Sequence, residues 1–143
     1  MFERDYLVRM LVEFAAAIRR ALDKAREQYD PQSACETLEN SIGNATDLDG
    51  SVLLSLAPES IASVLQATHA DPRVVIYIAH SMQLQSHYLS QLNNQELSVL
   101  RLAQAKALAE AYNFELPENL DDVDSEFFNE EEFLHSIELM TEM

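Results

Sequence analysis

Four histidines, one cysteine and a surplus of carboxylates are the residues of this chain whose chemistry could go beyond packing. His80 and His87 stand seven residues apart, with Gln83 and Gln91 near them, so on a helix they share a face. A metal ion held by two histidines of one helix wants i, i+3 or i, i+4 spacing, with carboxylates converging from other helices. Seven residues correspond to ~10 Å of rise, too far for one ion. The pair therefore reads as an interhelical hydrogen-bonding element or as the polar wall of a recognition groove. His135 lies between Glu131 and Glu138, a spacing that favours a surface charge pair over a metal site.

Cys35 sits beside Ala34 and Leu38 and reads as a small core residue, because no local base is present to lower its pKa. Asp47-Leu48-Asp49-Gly50 resembles the middle of a calcium loop, but placing Gly50 sixth puts Ala45 first and Leu56 twelfth. Both positions need oxygen ligands, so the motif fails. A polar turn is expected instead, with Gly50 supplying a positive φ. Two glycines are too few for a phosphate loop. Nucleophile elbows, His-Glu-x-x-His and paired cysteines are absent. No catalytic, cofactor-binding or metal-ligating residue is assigned, and a non-enzymatic protein is expected.

The elements that would position these residues are helical. Two glycines and four prolines among 143 residues leave few breakers, and one all-α domain of five or six helices in antiparallel hairpins is predicted. The organising stretch is Pro72 to Phe114. Asp71 caps its first helix and Pro72 occupies the first turn. Val75, Ile78, Ala79, Met82 and Leu89 form one stripe, and Tyr77, Leu84, Tyr88 and Leu92 a second, so this helix should be buried on more than one side. Asn93-Asn94 supplies a turn and the next cap. Leu97, Leu100, Ala107, Leu108, Ala111 and Phe114 are expected to form the inner face of the following helix, widened by Val99, Leu102 and Ala103.

Upstream, a helix from about Glu3 to Gln28 carries a seam of Leu7, Met10, Leu11, Phe14, Ile18, Leu22 and Ala25. Six of the nine basic residues, Arg4, Arg9, Arg19, Arg20, Lys24 and Arg26, fall in this segment, as a solvated face or as a patch receiving acidic groups. Tyr29-Asp30-Pro31 ends it and starts a second helix with Ala34, Leu38, Ile42 and Ala45 inward. A short turn over Val52 to Leu56 precedes a helix opening at Pro58, expected to bridge the two hairpins.

Charge is unevenly spread. From Glu115 to Met143 there are eleven acidic residues and no lysine or arginine, so this segment carries −11 of the net −16. The segments predicted are a helical-hairpin domain over 1–114, an acidic linker over 115–128 and an amphipathic helix over 129–143. Asn129 caps that last helix, Glu132 reaches back, and Phe128 staples onto Phe133. Phe133, Ile137 and Met140 form the stripe expected to dock on the same domain or on another chain. So acidic a protein is a poor match for nucleic acid or an anionic membrane. One cysteine and no secretory or membrane-spanning apolar run lead to a cytoplasmic expectation.

The opening Met1-Phe2-Glu3-Arg4-Asp5-Tyr6-Leu7-Val8-Arg9-Met10, the Tyr29-Asp30-Pro31 start and the Leu56-Ala57-Pro58-Glu59 turn resemble an uncharacterised bacterial family of short helical proteins. That family is similar to tetratricopeptide repeats, and has a serine cap where Ala57 stands here. The resemblance implies a right-handed stack of helical hairpins and brings no catalytic residues. Ala34, Leu38 and Ser41 fit the second helix of such a repeat, but Leu22 stands where a small residue belongs, and no repeat of about 34 residues runs through the chain. The function expected is protein–protein interaction, with Tyr77, His80, Gln83, Tyr88 and Arg101 lining a groove for a peptide or helix. The acidic tail would compete for that groove. A helical domain with a closed small-molecule or catalytic pocket, and a homodimer exchanging its terminal helix, are the alternatives.

Overall fold

The structure, a computed structural model, describes residues 2–117. Among them there are six helices and no strand: α1 (Phe2–Arg26), α2 (Pro31–Thr46), α3 (Gly50–Leu53), α4 (Pro58–Ala67), α5 (Pro72–Gln91) and α6 (Gln95–Tyr112). The predicted tail helix with Phe133, Ile137 and Met140, and nearly all of the linker before it, lie outside the described residues.

Three helix starts follow from the caps seen in the sequence. Asp30 accepts from the Ser33 amide at 3.0 Å. Asp71 accepts from the Arg73 amide at 2.9 Å and pairs with its guanidinium, which holds its carboxyl below the usual range. Asn94 accepts from the Leu97 amide at 3.3 Å. Ala57 gives α4 no side-chain cap; Pro58 alone suits that first turn. Five helices are followed by a left-handed residue, Tyr29, Asp47, His69, Asn93 and Asn113, at φ between 53° and 62°. After four of them the next amide returns to the preceding helix: Asp30 to the Lys24 carbonyl six residues back at 2.9 Å, and Ala70 to Leu65, Asn94 to Leu89 and Phe114 to Ala109 five residues back at 3.1, 2.9 and 2.9 Å.

The glycine expectation needs correcting. Asp47, at φ 60°, makes the left-handed turn after α2, and neither glycine has positive φ. Gly50 is needed for space: a Cβ there would sit 2.6 Å from the Glu39 carbonyl oxygen. The helical turn consequently starts earlier than predicted, at Gly50, with Asp49 accepting from the Ser51 amide at 2.9 Å.

Packing runs α1 on α2, α2 on α5 and α5 on α6. The core along this path is Leu11, Phe14, Ile18, Leu38, Ile42, Val75, Ile78 and Met82, all at most 3% exposed. Lys24 Nζ donates to Thr37 Oγ1 at 2.8 Å across the first hairpin. Instead of bridging the hairpins, α4 packs on α6, burying Ile61, Ala62 and Leu65.

The inner face of α6 also differs from expectation. Ser98, Arg101, Gln104, Ala105, Leu108 and Ala109 are buried, whereas Val99 is 67% and Leu97 36% exposed. Hydrogen bonding explains the register. Ser86 Oγ donates to the Ser98 carbonyl at 2.8 Å and Ser98 Oγ to the Ser86 carbonyl at 2.7 Å. Gln104 Nε2 donates to the Leu54 and Leu56 carbonyls at 2.9 and 2.8 Å. Gln104 goes inside because it satisfies loop carbonyls that would otherwise be buried unpaired, and the two serines because each hydroxyl finds an acceptor on the facing helix.

Candidate functional site

Of the five residues predicted to line one groove, Tyr77, His80, Gln83 and Tyr88 lie on α5 and Arg101 on α6. Tyr77, half-buried on α5, meets Phe14 of α1 edge to face, with ring centroids 5.9 Å apart and planes at 87°. The pair marks where the two hairpins touch on that side, and burial raises the Tyr77 phenol pKa. One turn on, His80 is 2% exposed. Desolvation lowers its pKa from 6.5 to about 4, so the imidazole is neutral at pH 7. Gln83, the next turn, donates from Nε2 to the Pro117 carbonyl at 2.7 Å. Phe114 and Leu116 pack against the core just before it. The described chain therefore ends on α5, beside the Tyr77–His80 face. Tyr88 is 4% exposed.

Arg101 belongs elsewhere. Its Nη1 donates to the Leu54 carbonyl at 2.8 Å and to Gln104 Oε1 at 3.2 Å, fastening α6 to the segment between α3 and α4. Burial lowers its pKa, opposed by the nearby Glu39 carboxylate. It is 8% exposed and serves the interior.

His80 and His87 are divided by environment as well as distance. His87 is exposed, 3.3 Å from the Gln91 amide nitrogen, with its ring 5.9 Å from that of Tyr88. Among the described residues no group of three or more His, Cys, Asp and Glu gathers as metal ligands. Cys35 is half-buried, and desolvation pushes its pKa up to about 11. At neutral pH it is a thiol, not a thiolate.

Sequence reasoning missed a cleft of about 310 Å³ between α1 and α2, lined by Tyr6, Arg9, Met10, Phe14 and Arg20 among others, with one carboxylate, Glu13, beside the two arginines. Phe14 links it to Tyr77. Arg9 and Arg20 are both exposed and lie eleven residues apart on α1, roughly 16 Å along the axis. That separation suits an elongated acidic occupant better than a small anion. The signal was present in the clustering of basic residues, but a solvated helix face has the same pattern.

Comparison with protein-family models, curated proteins and solved structures returned no match to this chain. No described helix is long and apolar enough to cross a membrane.

Proposed function

We propose that the chain is a non-enzymatic protein–protein interaction module, a tetratricopeptide-like stack of helical hairpins that receives an amphipathic acidic helix on its α1–α5 side. Its own acidic tail gates that surface. The observation that carries this reading is the exit of the chain: Gln83 holds the Pro117 carbonyl on α5, next to Tyr77 and His80. Twenty-six residues follow, from 118 to 143. They include a stripe of Phe133, Ile137 and Met140 flanked by glutamates. Residues 118–128 alone span up to ~35 Å when extended, enough to bring the stripe to α1. Arg9 and Arg20, exposed on the α1–α2 cleft whose Phe14 meets Tyr77, supply the complementary charge. Tyr77, His80, Gln83 and Tyr88 are the residues of α5 assigned to this side, and Arg101 supports the fold behind it.

A tethered competitor works at an effective concentration on the order of 1 mM, so weakening it should uncover the surface. The test is a fluorescent peptide of residues 126–143 titrated into the full chain and into the full chain carrying Phe133→Ser, Ile137→Ser and Met140→Ser. The substituted chain is expected to bind the peptide at least about tenfold more tightly. Equal affinity, or no binding to either chain, would refute the gating and the acidic-helix surface together.

A further inference from the structure

A second cleft, of about 450 Å³, opens where α2, α5 and α6 meet, and its two lips differ in chemistry. On α2, Glu36 is exposed and Glu39 half-buried, three residues apart and so on one helix face. Across from them the α5–α6 turn contributes Leu89, Leu92 and Leu97, the last two 40% and 36% exposed. The floor contains Cys35, Gln85 and Arg101.

The floor is incompletely satisfied. Gln85 Nε2 donates to the Cys35 carbonyl at 3.1 Å, which fixes the amide and leaves Oε1 with no donor among the described residues. Gln85 is 3% exposed, and a buried amide oxygen without a donor costs about 1–3 kcal/mol. Arg101 Nε also lacks a partner there, but its Nη1 is engaged with Leu54 and Gln104. Two carboxylates against one guanidinium leave the cleft at a net −1. An acidic lip, an unused buried acceptor and exposed leucines together select a ligand that brings donors and apolar surface.

We propose that this cleft docks an amphipathic basic helix of a partner protein, with an arginine or lysine on the Glu36–Glu39 lip and an aliphatic side chain on the Leu92–Leu97 lip. The site is separate from the α1–α5 surface and takes a ligand of opposite charge, so either can fail without the other.

The cleft contains its own reporter, because Cys35 is the chain's one cysteine. The probe is a capped helical peptide with arginines and leucines on adjoining faces, beside a counterpart with glutamate in place of arginine. Binding is followed by anisotropy with the full chain, and Cys35 occupancy by the rate of iodoacetamide labelling at pH 8.5. The basic peptide is expected to slow labelling at saturation, and the acidic one to leave the rate unchanged. Replacing Glu36→Gln and Glu39→Gln together is expected to weaken the basic peptide about tenfold with the helical circular dichroism unchanged. Generic attraction to a chain with 25 acidic residues would barely notice the loss of two. Labelling that is unprotected at saturation, or affinity for the double variant within about twofold of the parent, would overturn the proposal.

Discussion

The seam between α2 and α5 and the inner face of α6 are both buried, yet they are built from opposite chemistry. The seam presents Leu38, Ile42, Val75 and Ile78, each at 0% exposure. The face of α6 presents Ser98, Arg101 and Gln104, at 7%, 8% and 0%. Apolar area holds the first by excluding water, without regard to direction. Hydrogen bonds of fixed geometry hold the second, Ser98 to Ser86 of α5 and Arg101 and Gln104 to the irregular segment around Leu54–Leu56. Loop carbonyls need donors, and α6 supplies them. A helix that packs on helices can be greasy; one that packs on a loop cannot be greasy throughout.

The comparison breaks most sharply at the seam. Leu38→Ala should cost about 3–5 kcal/mol in urea unfolding, the range for a fully buried leucine in a rigid site. Gln104→Leu raises the hydrophobicity of a buried position, and on the seam's logic it would stabilise. We expect it to destabilise by about 2–4 kcal/mol, because two carbonyls lose a donor. Gly50→Ala tests the tight approach between α2 and α3. With its Cβ aimed at the Glu39 carbonyl, it should lower stability by about 1–3 kcal/mol. His69→Gly lies outside both regions and should act the other way. It relieves a left-handed conformation in a side chain that disfavours it, raising stability by about 1 kcal/mol in thermal or urea unfolding.

The same contrast explains what was legible in the sequence. Periodicity gave the helices, the Asp30, Asp71 and Asn94 caps, and the inward positions of α2 and of one stripe of α5, because apolar burial leaves a pattern of period 3.6. It misassigned α6, where Ser98, Arg101 and Gln104 recur at the spacing of a solvent face. The partners of Arg101 and Gln104 are backbone carbonyls about fifty residues away in sequence, which no local pattern encodes, and Ser98 pairs with Ser86 across the α5–α6 hairpin. For that reason Arg101 looked like a recognition residue and proved to be a fastening. The position of α4 was hidden likewise: its apolar face was visible, but nothing local said it would pack on α6. The Gln83 side chain holds the Pro117 carbonyl, thirty-four residues away, a contact that no helical periodicity encodes.

The proposed separation of recognition on α5 from fastening on α6 is tested most directly by one measurement. The affinity of the 126–143 peptide is determined for full chains carrying the three tail substitutions plus Tyr77→Ser, Gln83→Ala or Gln104→Leu, each at a temperature where circular dichroism shows it folded. The first two should weaken the peptide about tenfold. Gln104→Leu should leave affinity unchanged while lowering Tm the most. Loss of affinity in Gln104→Leu equal to that in Tyr77→Ser would contradict the account, and so would full affinity in both α5 variants.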